Sequence, residues 1–183
     1  LKPDLIIGNK EENDRTQIEE LMKEFPVWMS DIQVLPEAID MIRQIGELTG
    51  RLEKATVIAN DINEQFLKLK KIHKQVRTAY FIWKDPYMLA GKQTFIDDML
   101  NRAGFENAIS GDRYPEISID QLKKLRPECI FLSSEPYPFK DEHVKEIQSI
   151  CPDARVSIVD GEMFSWYGSR LLLSPAYLRS LEQ

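Results

Sequence analysis

The chain repeats itself, and the repeat limits its architecture more than any bulk property does. Leu1-Lys2-Pro3-Asp4-Leu5-Ile6-Ile7 and Leu125-Arg126-Pro127-Glu128-Cys129-Ile130-Phe131 match in residue class at every position but one. The offset that carries Leu1 onto Leu125 also carries Glu11 onto Glu135. In each copy a Leu-basic-Pro-acidic turn stops a helix and leads into a short apolar strand, because proline cannot continue a helix and β-branched or aromatic residues favour a pleated surface. Each strand enters a polar loop that feeds an amphipathic helix, over Asp14 to Glu24 in the first copy and Lys140 to Ile150 in the second. Val27-Trp28-Met29-Ser30-Asp31 and Val156-Ser157-Ile158-Val159-Asp160 then read as buried strands, each ending in an acidic residue at a loop. Helices over Leu35 to Leu48 and Tyr167 to Leu181 close the two units. Strands alternating with helices in this way predict an α/β fold: two Rossmann-like lobes with parallel sheets and helices on both faces.

Between the copies, Leu52, Ala55, Ile58, Ala59, Ile62, Phe66, Leu69 and Ile72 recur at helical spacing, with no proline and no glycine after Gly50. One helix of about 24 residues would run roughly 36 Å, long enough to bridge two lobes. The expected organisation is therefore residues 1–49 as part of a first lobe, 50–75 as one long interlobe helix, and 76–183 as a second lobe whose last helix packs back towards the first. From Arg77 onward the second lobe carries a strand (Thr78 to Trp83), a loop (Lys84 to Lys92), a helix (Thr94 to Ala103, closed by Gly104) and a helix begun by Ser118. None of these has a counterpart ahead of Leu1. Pseudo-equivalent lobes imply that the first lacks its opening about 50 residues and that the chain is a fragment of a longer protein. The alternative is a naturally asymmetric one.

Composition removes several function classes. The 183 residues, 43% hydrophobic, suffice for two modest cores. A net charge of −6 leaves no basic face for phosphates, so nucleic acid is not expected as a partner. The lysines of Lys68 to Lys74 alternate with Leu69 and Ile72, as on the wet face of a helix. No apolar run approaches the roughly 18 to 20 residues that cross a bilayer. Cys129 and Cys151, the two cysteines, lack metal-site spacing and read as buried thiols, with one disulfide open to them in an oxidising compartment. His73 and His143 are the two histidines and sit on different helices, so no metal site is expected. A nucleophile elbow, a P-loop and a dinucleotide-binding turn are all missing from the sequence, so no catalytic residue is assigned.

Several segments, in this order and spacing, carry a family resemblance: LKPDLII, VWMSDI, the long helix, YFIWKDPYMLAGKQTFIDDMLNRAGFENAI, RYPEISIDQLKKLRPECIFLSSEPYPF and FSWYGSRLL. The chain resembles, over essentially all of its length, the substrate-binding proteins of ABC importers that have a rigid interlobe helix, the class of cobalamin, haem and ferric-siderophore binders. The resemblance implies a solute-binding component that captures a metal-chelate nutrient and delivers it to an ABC permease at the membrane surface. Such a protein is periplasmic or extracytoplasmic, lipid-anchored through a segment outside this sequence in some cases, and monomeric at full length. Its ligand, a corrinoid, haem or ferric chelate, is held without covalent attachment. It also implies a cleft lined by loops at the carboxyl ends of the strands, where open α/β sheets take their ligands.

A corrin or porphyrin presents a wide apolar face edged with amides or carboxylates, so a matching site needs flat aromatic surfaces and a few polar groups at its rim. The loops supply Trp83, Tyr87, Tyr114, Tyr137, Phe164, Trp166 and Tyr167 for the first, and Asn9, Lys84, Ser134 and Glu135 for the second. Trp83 and Phe164 equally suit core packing. Anionic siderophores call for cations in the cleft. Lys10, Lys84 and Arg170 are the candidates, a sparse set that favours a neutral corrinoid. In cobalamin binders a carboxylate on each lobe docks against permease arginines. Asp120 falls on the second-lobe position, an aspartate where glutamate is usual, and it also suits a plain helix start. Two other classes stay open: a small α/β enzyme using Ser134, Glu135 and Asp160 at the strand ends, and an interaction module whose aromatic loops bind a protein.

Overall fold

In the computed structural model, which describes residues 1–69 and 75–181, the chain divides into two compact units, Leu1–Ile32 and Gln33–Gln183. The first unit holds β1 (Ile6–Asn9), α1 (Arg15–Leu21) and β2 (Val27–Ser30). The two strands pair in parallel, from Ile6 opposite Val27 to Asn9 opposite Ser30. Asp14 starts α1 by accepting a hydrogen bond from the Gln17 backbone N–H at 3.0 Å, satisfying one of the donors a helix start leaves free.

The second unit opens with α2 (Leu35–Leu48) and α3 (Leu52–Leu67), which pack as a helical hairpin. The contact is close because Gly46 faces Ala55: a Cβ at Gly46 would lie 2.2 Å from that of Ala55. Then follow β3 (Val76–Trp83), β4 (Met88–Leu89), α4 (Phe95–Arg102), β5 (Phe105–Asn107), α5 (Ile119–Leu125), β6 (Cys129–Ser133), α6 (Asp141–Ile150), β7 (Arg155–Val159), α7 (Glu162–Ser165), a 3-10 turn (Ser169–Leu172) and α8 (Ser174–Ser180). The sheet order is β4-β3-β6-β7, with β5 pairing the start of β3 and β4 pairing its end. All pairs are parallel except β3 with β4. The α/β class and the parallel sheets expected from the repeat are therefore observed.

Alternation along the strands builds two buried faces. Ala79, Phe81, Ile130 and Leu132 point to one side and meet Leu122 of α5 and Ile147 of α6 in a single apolar cluster. Tyr80 and Phe131 point to the other, where they meet Phe164 of α7, with ring centroids 4.9 Å and 6.1 Å away. All nine are buried to within a percent of complete. Each contributes on the order of 1.5–3 kcal/mol if large, less for alanine. A sheet covered on both faces leaves the strand ends as the place for polar and ligand-facing residues.

Three expectations differ from the structure. Helix α3, at the place of the expected long helix, ends at Leu67 with Lys68 as its cap. Phe66 is the last buried residue of the helix, and Leu67 is 77% exposed. Ile72, His73 and the far end of the expected helix, residues 70–74, lie outside the described residues. The closing helix is interrupted: Gly168 has a non-helical backbone, a 3-10 turn intervenes, and Pro175, which has no N–H to give, sits in the first turn of α8. Helix α2, expected to close the first lobe, groups with the second unit. Its Leu35 N–H donates to Asp98 Oδ2 at 2.7 Å, and Asp98 also holds Arg102 of α4 at 2.7 Å.

Candidate functional site

Because β3, β6 and β7 are parallel neighbours, their carboxyl ends share one edge, and the loops after them form a continuous rim. Trp83 ends β3. It belongs to the row that includes Ala79 and Phe81, but it lies beyond the apolar cluster and is 40% exposed. Its indole meets Tyr137, from the loop after β6, edge-on with centroids 5.5 Å apart. Tyr137 in turn packs on Phe139 at 4.7 Å and on His143 at 5.5 Å.

His143 of α6 is buried. Its Nδ1 accepts the Lys140 backbone N–H at 2.9 Å, so the ring caps its own helix, α6, while Nε2 lies 3.4 Å from the Tyr137 hydroxyl. An Nδ1 that accepts leaves the neutral ring's proton on Nε2, which then donates to Tyr137.

The loop between β3 and β4 is tied to α6 through Glu146. Lys84 Nζ contacts Glu146 Oε2, and the Tyr87 hydroxyl donates to Oε1 at 2.5 Å. Hydrogen bonds from Lys84 and then Tyr87 pull the Glu146 carboxyl below the usual range. The same contacts raise the lysine, and burial followed by the Glu146 bond raises the Tyr87 phenol well above its ordinary value. Tyr87 also packs edge-on against Phe81 at 5.5 Å. Glu146 was not singled out in the sequence, since its meeting with Lys84 depends on how α6 lies on the sheet.

The loops after β6 and β7 interlock. Gly161 N–H donates to Ser134 Oγ at 3.0 Å, and Ser165 Oγ donates to Glu135 Oε1 at 3.1 Å. A Cβ at Gly161 would lie 2.4 Å from Ser133 Oγ and 2.7 Å from Glu135 Cγ, so only glycine permits this approach. Ser134 and Glu135 thus sit at the rim but direct an oxygen each to the neighbouring loop. Asp160 Oδ1 accepts the Glu162 N–H at 3.1 Å, and Arg170 pairs with Glu162 at 2.5 Å and lies 3.8 Å from Asp160. The enzyme alternative would require Ser134, Glu135 and Asp160 to be free for chemistry. In the structure they brace loops.

Phe164, expected in the cleft, is fully buried among Tyr80, Phe131 and Tyr177. The short helix α7, not foreseen in the sequence, turns its ring inward. Trp166, just after α7, is 51% exposed. Tyr167 is half-buried against Phe95 at 5.5 Å. Tyr114 is half-buried in the segment that runs beside β4, where Leu89 N–H donates to Pro115 at 3.2 Å. Asp120 is exposed in the first turn of α5, which Ser118 caps reciprocally with Gln121.

In the first unit, Asn9 Oδ1 accepts the Glu12 N–H at 2.7 Å and Lys10 pairs with Asp31 at 2.5 Å, both at the carboxyl end of β1. Among the described residues no group of three or more His, Cys, Asp or Glu side chains is placed to hold a metal ion. Cys129 and Cys151 are both free and buried. No described helix is long and apolar enough to cross a membrane.

Residues 1–149 match the family model described as "Periplasmic binding protein". The vitamin B12-binding protein of Vibrio parahaemolyticus is 27% identical over 140 residues, covering 73% of this chain and 50% of the relative. The chain thus spans about half the length of that curated relative. A solved periplasmic haem-binding protein from Pseudomonas aeruginosa superposes with a TM-score of 0.79 at 21% identity, covering 99% of this chain and 72% of the other. The periplasmic vitamin B12-binding protein of Vibrio cholerae gives a TM-score of 0.74 at 18% identity, covering 98% and 74%. At those identities the two structures speak for the fold.

Proposed function

The chain belongs to the periplasmic binding protein family, and on that premise we propose that it is part of the solute-binding component of an ABC importer. That family consists of non-catalytic transport components. The protein works in the periplasm or an equivalent extracytoplasmic space, takes up a metal-chelate nutrient at the strand-end rim, and passes it to a permease that docks on surfaces including Asp120. A helix joining two lobes belongs to the same proposal, as do the ligand-contacting roles of Trp83, Tyr87, Tyr114, Tyr137, Trp166 and Tyr167 and, in the first unit, Asn9.

Within the metal chelates, the favoured ligand is a neutral corrinoid. One observation carries this preference: Lys10, Lys84 and Arg170, the candidate cations near the loops, each already have a carboxylate. Lys10 has Asp31, Lys84 has Glu146, and Arg170 has Glu162. In the second unit, a rim whose Lys84 and Arg170 are matched in this way offers little to a polyanionic catecholate, whereas exposed Trp83 and Trp166 offer flat apolar surface to a corrin. The names of the curated relatives point the same way.

The test is to titrate the protein, extended to the length of its relatives, with cyanocobalamin, haemin, a ferric hydroxamate and a ferric tris-catecholate. Tryptophan fluorescence and visible absorbance are followed. Quenching by cyanocobalamin at low micromolar concentration or below is expected. No response to any of the four would end the transport reading.

A further inference from the structure

Glu146 reaches the rim from α6, is not adjacent to it in sequence, and occupies the one cation that directly follows the exposed Trp83. Its two oxygens are divided between two loop residues: Oε2 for the Lys84 ammonium and Oε1 for the Tyr87 hydroxyl. The lysine side chain is only 18% exposed, against 38% for the carboxylate, so its stem lies against the protein and its ammonium is held at the α6 carboxylate. A lysine has a flexible four-carbon stem and an ammonium free to rotate, and it can turn to another anion as soon as its present one is lost. The loop itself needs only an acceptor for Tyr87 and one for Lys84, which a glutamine amide oxygen can supply in part.

We propose that Glu146 is a specificity-determining residue: by sequestering Lys84 it keeps the rim from attracting anionic chelates, and its loss of charge turns the site towards them. The mechanism is exclusion by charge pairing and not by shape. A free ammonium beside an aromatic platform would meet a catecholate or carboxylate with a charge-assisted bond, and the pairing with Glu146 removes that attraction at its source. Raised lysine and lowered carboxyl titration accompany the pair. The proposal rests on the reading of the rim as a chelate site and names the residue that selects among chelates there.

The probes are neutral cyanocobalamin and trianionic ferric tris-catecholate, titrated against the unmutated protein, Glu146→Gln, and the double variant Glu146→Gln with Lys84→Met, all at the length of the relatives. Glu146→Gln is expected to bind the tris-catecholate on the order of tenfold more tightly, with cyanocobalamin affinity within about twofold of the unmutated value. The double variant is expected to lose the gain, and added salt to shrink it. A merely structural role for Glu146 would move both ligands together. Equal changes for the two probes, or no gain for the anion, would overturn the proposal. If cyanocobalamin binds the unmutated protein while Glu146→Gln gains nothing, this inference alone fails. If cyanocobalamin does not bind at all, the corrinoid reading fails, and the gain for the anion still decides the role of Glu146. Should Glu146→Gln not fold, competitive acetylation of the unmutated protein decides instead: Lys84 is expected to react about tenfold more slowly than the exposed Lys145, and equal rates would overturn the proposal.

Discussion

The Trp83 indole stands edge-on to the Tyr137 ring with centroids 5.5 Å apart, so the last residue of β3 and the loop after β6 share one aromatic contact at the rim. The pair is supported from behind by Phe139 and His143 and open in front, where Trp83 is 40% exposed.

Trp83→Ala is expected to weaken cyanocobalamin binding by about tenfold while lowering stability by only about 1 kcal/mol, because the substitution removes an exposed ring and one edge contact. Parallel ligand titration and urea unfolding check this. A large stability loss with unchanged affinity would place the indole in the core.

Phe164→Ala should behave in the opposite way. A fully buried ring with three aromatic neighbours leaves a cavity, and the cost is expected to be about 3–5 kcal/mol, read as a shift in the urea midpoint at constant slope.

Gly161→Ala would press a methyl group against Ser133 and Glu135, where it has 2.4 Å and 2.7 Å of room. The expected cost is about 1–3 kcal/mol, with loosening of the β6 and β7 loops seen as faster amide exchange at Gly161 and Ser165.

The Glu146 carboxyl titrates below its unfolded value of about 4.3, held there by Lys84 and Tyr87. A depressed folded value gives stabilisation that is complete above the unfolded value and disappears as the pH falls through the folded one. The stability difference between the unmutated protein and Glu146→Gln should therefore be level from pH 7 to about 5 and narrow at lower pH. A difference that stayed constant down to pH 3 would show that the carboxylate charge contributes nothing.

Burial pushes both thiols upward, and at Cys129 this outweighs the opposing pull of Arg155. Neither cysteine should react with Ellman's reagent at neutral pH until denaturant is added. Prompt reaction of either one in the folded protein would contradict the burial.

The strands of the fold were legible because β6 and β7 are apolar runs bounded by turn residues, and because Leu1 to Ile7 announces β1 through its likeness to Leu125 to Phe131. Helix α2 was legible to the residue, since its apolar stripe is continuous and Pro36 lies in its first turn. The two-residue β4 was not, as nothing local distinguishes Met88 and Leu89 from the loop around them. Nor was the break before α8, where Gly168 and Pro175 outweigh an otherwise helical pattern. At the site, aromatic residues in strand-end loops could be found by position alone, and Trp83, Tyr137 and Trp166 do lie at that end of the sheet. Direction could not. Phe164 faces inward because a four-residue helix rotates it, and Ser134 and Glu135 bond to a loop that follows a different strand. Glu146 went unnoticed, and the capping role of His143 unforeseen, for a related reason: their roles depend on the rotation of α6 about its own axis, which a helical pattern leaves free over several polar positions.

The central position of β3 has a consequence for the order of synthesis. A ribosome finishes β3 well before it reaches Cys129, yet β6 is the strand that pairs with β3 from Thr78 to Phe81. Until β6 emerges, Tyr80 lacks its strand partner and the rings of Phe131 and Phe164, and Phe81 has β4 on one side but not β6 on the other. The nascent chain must therefore carry an unpaired apolar edge for tens of residues, an interval in which a holdase or a translocation channel has a hydrophobic strand to grasp.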